Sequence, residues 1–242
     1  MRQFVLLTLV LLGLTTIVHA GWLQDQWNTI KTTNMETLKA TPLSETKIGE
    51  GLKEALKVGI DNAVKLTGKT DGFFKNEAIK IPVPEKLQML DKGLRAVGLG
   101  KPVDDFVLSM NRAAEAAAPQ ARDIFVNAIV GMSFNDTMKI YNGGNTSATE
   151  FFKAKTSPAL REKFLPVIRK SLGQYNVSAK YNEVVAKYRS LPFSSKYPVP
   201  DAEQYVLDKT LNGLFTVLGQ EETKIRTQPA ARVTDLLKQV FK

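Results

Sequence analysis

Residues 48–68 of the chain read IGEGLKEALKVGIDNAVKLTG, and large apolar side chains recur there at every fourth position. The members of this series are Ile48, Leu52, Leu56, Ile60 and Val64. A four-residue spacing places side chains on one face of an α-helix. Ser44 precedes the series as a favourable N-cap, and Gly68 follows it as a residue that commonly ends helices. The segment therefore predicts one long amphipathic helix.

The same apolar spacing recurs along most of the chain, between short stretches that contain proline or glycine. No run of alternating apolar and polar residues is long enough to predict a sheet. The sequence therefore predicts an all-α fold, a single irregular bundle of about nine or ten helices at residues 44–242. One of these helices is expected to begin at Ser147 and a separate one at Ser157-Pro158.

Residues 1–20 are typical of a cleavable secretory signal. Arg2 is followed by an apolar run at residues 4–14, and residues 18–20 (VHA) place small side chains where signal peptidase reads. An uncleaved anchor is the alternative, but the run is shorter than the roughly 20 apolar residues of a membrane span. We expect a secreted or periplasmic protein with an N-terminal arm at residues 21–43 and no transmembrane segment after cleavage.

Histidine and cysteine are almost absent from the chain. It contains no cysteine, and its one histidine, His19, lies in the expected signal. Disulfides are therefore excluded, and sites for zinc, copper or haem are not expected because they overwhelmingly use imidazole or thiolate. Serine–histidine and cysteine–histidine catalysis are excluded as well. We expect no metal, no cofactor and no enzymatic activity, with a carboxylate-based enzyme as the remaining catalytic alternative.

The formal net charge of +9 is unevenly distributed along the chain. Residues 151–200 hold 10 Lys/Arg against 2 Asp/Glu, whereas residues 21–150 hold 16 of each class and residues 201–242 hold 6 of each. Aromatic residues are interleaved with the basic ones in the same block. This combination is one signature of a surface that binds anions.

The basic block supplies six candidate anion-binding residues. They are Lys163, Arg169, Lys170, Lys180, Lys187 and Arg189. For an exported protein, the expected partner is an anionic lipid headgroup, an acidic glycan or lipopolysaccharide, and nucleic acid is not expected. The alternative is a solvated basic face that only aids solubility.

A second set of candidates lies within an alanine-rich helix. Asn111, Arg112 and Glu115 are three and four residues apart, so that their side chains can pair on one helix face. Such a group either orients a ligand or forms an internal ion pair that fixes the register of the helix. Three further candidates for the same buried polar cluster come from the end of the chain, namely Glu222, Arg226 and Arg232.

Several short motifs resemble a known family. They are DGFFKN at residues 71–76, SMNRAAEAAAP at 109–119, EETKIR at 221–226, and PAAR at 229–232 followed by TDLL at 234–237. Over residues 51–242 the chain resembles the family catalogued as domain of unknown function 4197. The resemblance implies an exported, mostly bacterial, helical domain with no assigned activity. Many members look like lipoproteins, but this chain lacks the cysteine that lipid attachment uses.

Two functional hypotheses follow from the sequence. The first is an envelope or extracellular interaction module that binds anionic partners through the basic block. The alternative is a carrier that holds a hydrophobic small molecule, a lipid or a pigment, between its helices. Such a carrier requires a closed apolar cavity of several hundred Å³, on the order of those that hold small ligands in other proteins.

Overall fold

The computed structural model describes residues 44–174 apart from 97 and 99, residue 186, and residues 201–241. These residues are largely helical and include no strand, which confirms the predicted all-α class. They belong to one compact unit, Ser44–Lys242. Among the helices described, none is both long and apolar enough to span a membrane. The predicted signal at residues 1–20 and the predicted arm at residues 21–43 lie outside the described residues.

The described residues form seven α-helices of at least eight residues and one of six residues. These are α1 (Glu45–Gly68), α2 (Gln88–Ala96), α3 (Gly100–Ala117), α4 (Ala121–Val130), α5 (Phe134–Tyr141), α6 (Ser147–Gln174), α7 (Ala202–Thr227) and α8 (Asp235–Val240). Short 3₁₀ turns occupy Glu85–Leu87, Ala118–Gln120 and Pro229–Ala231. The described residues therefore form fewer helices than the nine or ten predicted for residues 44–242.

Part of the difference in helix number comes from α6. The sequence predicts two helices there, the second beginning at Ser157-Pro158. The structure has one continuous helix that contains both Pro158 and Pro166. Proline in a helix interior removes a hydrogen bond and costs about 3 kcal/mol. Both prolines are exposed, and the buried side of the helix continues past them. Packing of this apolar side against neighbouring helices outweighs the local preference for a break.

Helix α1 has the ends and the buried face that the sequence predicts. The Ser44 side chain accepts a hydrogen bond from the backbone N–H of Lys47, and the helix ends at Gly68. The apolar series is buried from its second member onward, at Leu52, Leu56, Ile60 and Val64. The four-residue spacing therefore identified the core-facing side of this helix.

The core lies among α1, α3, α6 and α7, each of which packs against the other three or against two of them. The Phe125 ring of α4 enters this core, where it meets the Phe152 ring edge-on at a centroid distance of 5.4 Å and the Phe215 ring at 6.0 Å. Alanines at positions 113, 114, 117 and 118 are fully buried, and such small side chains let neighbouring helices approach closely. The alanine-rich sequence of α3 therefore allows this helix to pack closely against its neighbours.

Candidate functional site

Glu115 on α3 holds the loop that connects α1 to the first 3₁₀ turn. Its side chain is about 5% exposed, and its Oε1 atom accepts hydrogen bonds from the backbone N–H groups of Phe73 at 3.0 Å and Phe74 at 3.1 Å. Two hydrogen bonds to a carboxylate compensate for much of the cost of burying its charge. Glu115 therefore anchors this loop to α3.

Arg112 extends the same contact to the start of the loop. Its Nη1 atom lies 2.5 Å from Glu115 Oε2, and its Nη2 atom lies 2.7 Å from Asp71 Oδ1. Asp71 has a left-handed backbone with φ of 65°, a conformation that Asp tolerates better than most residues. Hydrogen bonds from Lys75 and Arg112 hold the pKa of Asp71 below its ordinary value. The arginine thus joins two carboxylates from different parts of the chain.

The side chain of Asn111 binds the backbone of Ile81, at the far end of the loop. The Asn111 Oδ1 atom accepts from the N–H of Ile81 at 2.9 Å, and its Nδ2 group donates to the carbonyl of Ile81 at 2.9 Å. Nδ2 also donates to the carbonyl of Val107 at 2.8 Å. The fully buried amide therefore satisfies both backbone groups of one residue, as a neighbouring β-strand would.

These contacts join two of the motifs that carry the family resemblance. Arg112 and Glu115 hold the loop at residues 71–76 against the alanine-rich helix at residues 109–119, and Asn111 of the same helix holds Ile81 further along the loop. Every buried side-chain nitrogen and oxygen that the structure describes has a hydrogen-bond partner. The geometry favours the internal, register-fixing alternative over a ligand-orienting site.

Glu222 on α7 lies at the N-terminus of α6. Its two carboxylate oxygens accept hydrogen bonds from the backbone N–H groups of Ala148 and Thr149, both at 2.9 Å, and from the Thr149 hydroxyl at 2.8 Å. The first N–H groups of a helix have no partner within the helix, and negative charge is favoured there. Glu222 therefore caps α6 from a different helix.

Arg226 and Arg232 donate hydrogen bonds to carbonyl groups at the C-terminal ends of helices. Arg226 Nη2 lies 3.0 Å from Glu222 Oε1 and also donates to the carbonyl of Ile140 at 2.8 Å, in the last turn of α5. Arg232 donates to the carbonyls of Ile225 at 3.1 Å and Arg226 at 2.9 Å, in the last turn of α7. Cations are favoured at helix C-termini. The two arginines thus complete three helix ends together with Glu222.

The six polar candidates form two clusters rather than one. Among the described residues, the Asn111–Arg112–Glu115 group and the Glu222–Arg226–Arg232 group share no hydrogen-bond or ion-pair partner. Sequence reasoning missed Asp71 as the partner of Arg112, although both residues lie in the motifs quoted for the family resemblance. It also missed the backbone partners of Glu222, because no sequence pattern marks which helix end a distant carboxylate caps.

The described part of the basic block lies on α6, where arginine and lysine differ in their surroundings. Arg161 lies 2.6 Å from Asp208 and Arg169 lies 2.9 Å from Glu203, and both acids are on α7. Lys163 and Lys170 are exposed and have no ion pair with any described residue. Lys180, Lys187 and Arg189 lie outside the described residues. The arginines thus join two helices, and the lysines extend into solvent.

The described residues include an apolar cavity and an open groove, and they hold no acidic cluster for a metal. No group of three or more His, Cys, Asp or Glu side chains in the described part could hold a metal ion. An apolar cavity beside Glu222 has a volume of about 20 Å³ and is bordered by Leu52, Phe152 and Leu218. An open groove of about 670 Å³ lies between the N-terminal half of α6 and α7 and is lined mostly by polar side chains.

Comparison with known proteins gives one match. A family model, described as protein of unknown function (DUF4197), matches residues 42–242. No curated protein and no solved structure matches the chain. The match covers both polar clusters and the described part of the basic block.

Proposed function

Since this chain belongs to the DUF4197 family, whose function is unknown, we propose a function from its surface chemistry. The protein is an exported, non-enzymatic interaction domain that binds an anionic membrane surface through exposed lysines of α6. Its buried carboxylates support a non-enzymatic role, because Glu115, Glu221 and Glu222 are all engaged in internal hydrogen bonds or ion pairs.

The observation that carries this proposal is the arrangement of three lysines on α6, which we call the α6 basic face. Lys155, Lys163 and Lys170 are exposed and form no ion pair with any described residue. At about 100° of rotation per residue they fall within an arc of about 80° around the helix axis. Separated charges of one sign on one face attract an anionic surface at long range.

The surroundings of these lysines favour close approach to a flat partner. Ala159, Pro166 and Gly173 lie on the same side of α6 and are exposed, and none of them has a long side chain. Glu162 is the one acidic residue that α6 places on this side. The net charge of the face is therefore positive, and no long apolar side chain of α6 projects between the lysines.

Sedimentation with lipid vesicles tests the proposal. The expected result is binding to vesicles that contain anionic lipid but not to vesicles of zwitterionic lipid alone. Binding should weaken steeply with added salt, because exposed charges are screened within about 10 Å at 0.1 M ionic strength. Each lysine near an anionic surface contributes about 1 kcal/mol, so that Lys163→Glu with Lys170→Glu should weaken binding by about 30-fold or more.

A charge-matched variant separates the position of the lysines from the total charge. Lys57 on α1 and Lys92 on α2 are exposed, and neither has an ion pair with a described residue. Lys57→Glu with Lys92→Glu makes the same change in net charge and should retain most of the binding. Equal losses in the two double variants would reject the α6 basic face. Binding to an acidic polysaccharide but not to vesicles would replace the membrane by a glycan.

The carrier alternative has less support in the described residues. The apolar cavity beside Glu222 has a volume of about 20 Å³, close to the space that a single water molecule requires. A lipid or a pigment requires several hundred Å³ of closed space. Native mass spectrometry of protein purified from its own source tests this alternative, since a carrier would retain a small molecule.

A further inference from the structure

The turn between α4 and α5 carries two exposed apolar side chains. Val130, the last residue of α4, is 72% exposed, and Phe134, the first residue of α5, is 51% exposed. Among the large exposed apolar residues that the structure describes, these are the two that lie closest in sequence, and only residues 131–133 separate them. We call Val130 and Phe134 the apolar tip.

Three lysines from three different helices surround this turn. The Nζ group of Lys53 on α1 donates to the carbonyl of Met132 at 3.4 Å. Lys139 on α5 and Lys155 on α6 lie near the carboxylate of Asp136, whose pKa is lowered first by hydrogen bonds from Ser133 and also by these two charges. Both Lys139 and Lys155 are exposed.

These three lysines outnumber Asp136, the acidic residue beside Lys139 and Lys155. Asp136 is also occupied by the capping box of α5, in which it accepts from the Ser133 backbone N–H at 3.2 Å and the Ser133 hydroxyl at 2.7 Å. Apolar side chains within a basic rim are the combination that enters the interface of an anionic bilayer, because the rings and alkyl groups leave water while the amines meet headgroups.

We propose that the apolar tip inserts into the interfacial region of an anionic lipid surface, with Lys53, Lys139 and Lys155 against the headgroups. This inference rests on the proposed function and adds to it the depth and the point of contact. Lys155 belongs both to the rim and to the α6 basic face, so that the two features adjoin at this lysine.

A single fluorescent label tests the insertion. The chain has no cysteine, so that Phe134→Cys creates a unique site for a polarity-sensitive dye. We expect its emission to shift to the blue with anionic vesicles and not with zwitterionic ones. Val233→Cys is the control, because Val233 is 64% exposed and lies near the chain end, away from the tip in sequence. Equal shifts at the two positions would overturn the insertion.

The same samples are sedimented, so that the two proposals can fail separately. Sedimentation with vesicles but no blue shift at Phe134→Cys overturns the insertion and leaves the α6 basic face as the contact. Failure of the unmodified protein to sediment at low salt overturns both proposals. Sedimentation together with a shift confined to Phe134→Cys supports both.

An unlabelled pair of variants checks that the dye does not create the effect. Val130→Ala with Phe134→Ala should weaken vesicle binding by about tenfold, because less apolar surface then leaves water when the tip enters the lipid. Met89→Ala with Val233→Ala removes two other exposed apolar side chains, which are 87% and 64% exposed, and should leave binding unchanged. Helix content measured by circular dichroism should be the same in both. Equal affinities of the two double variants would overturn the proposal.

Discussion

Glu115 and Arg112 form an ion pair whose partners have unequal surroundings. The Glu115 side chain is 5% exposed and that of Arg112 is 26% exposed, so that the carboxylate is the more deeply buried partner. Removal of one partner of a buried ion pair costs about 3–5 kcal/mol, because the remaining charge is left uncompensated. In the structure Glu115 keeps two backbone hydrogen bonds when Arg112 is absent, whereas loss of Glu115 leaves the N–H groups of Phe73 and Phe74 without their acceptor.

Glu115→Ala is therefore expected to be the more damaging substitution. It should lower the free energy of unfolding by about 3–5 kcal/mol, and Arg112→Ala by about 1–3 kcal/mol. Arg122→Ala is the control, because Arg122 pairs with Asp61 at 2.8 Å and both side chains are about half exposed. An exposed pair contributes up to about 1 kcal/mol. Urea unfolding measures all three, and equal small losses would show that Glu115 does not anchor the loop.

Helix α6 carries two of the candidate features. Glu222 caps its N-terminus, and its exposed lysines form the α6 basic face. Its N-terminus is satisfied by Glu222 of α7 and its arginines pair with α7 as well. The long contact between these helices uses polar groups at the edge and apolar groups in the core. The exposed lysines are therefore presented by a helix that is held in place by other residues.

Glu222→Ala should loosen the start of α6 before the rest of the helix. The substitution removes the acceptor from the N–H groups of Ala148 and Thr149, and unsatisfied buried groups cost about 1–3 kcal/mol each. Hydrogen exchange should show earlier loss of protection at these two amides than at Ile168, which is fully buried in the same helix. As a control, loss of the Asp201 cap of α7 in Asp201→Ala should cost about 1 kcal/mol and leave both amides protected. Unchanged protection at the two amides in Glu222→Ala would remove this role from Glu222.

For the whole molecule, stability should be nearly constant over a broad pH range and fall at both ends. The lowered pKa of Asp71, caused first by Lys75 and then by Arg112, contributes stability above its ordinary value of 3.8. That contribution is lost as the pH falls through the lower folded value. Burial raises the pKa of Tyr205 from 10.0 to about 12, and the charge of Glu85 adds to this effect. The contribution of Tyr205 to stability is therefore present below pH 10 and is lost as the pH rises toward 12.

Thermal unfolding measured across this pH range tests the whole-molecule prediction. The midpoint temperature should decline below about pH 4 and again above about pH 10. Asp71→Asn should make the acid decline shallower, because one carboxylate that must be protonated is absent. Tyr205→Phe should do the same for the alkaline decline. An acid decline with an unchanged slope in Asp71→Asn would assign the effect to other carboxylates.

Much of the fold could be read from the sequence because it depends on local chemistry. The four-residue apolar spacing of α1, the Ser44 cap and the end at Gly68 all reappear in the structure. Ser133 and Asp136 form a capping box, which is likewise local because its two residues are three apart in sequence. The predicted start of a separate helix at Ser157-Pro158 was wrong because proline is a strong local signal for a break, and only the packing of α6 against its neighbours overrides that signal.

The sequence by itself determined the all-α class, the absence of disulfides and the uneven distribution of charge, since these follow from composition and from spacing along the chain. It also marked the polar residues of both clusters. Only the tertiary structure decided their partners, because the carboxylates of Glu115 and Glu222 accept from backbone groups 41 to 74 positions away. Backbone N–H groups are the same at every residue, so that no pattern of side chains records which of them a distant carboxylate will meet.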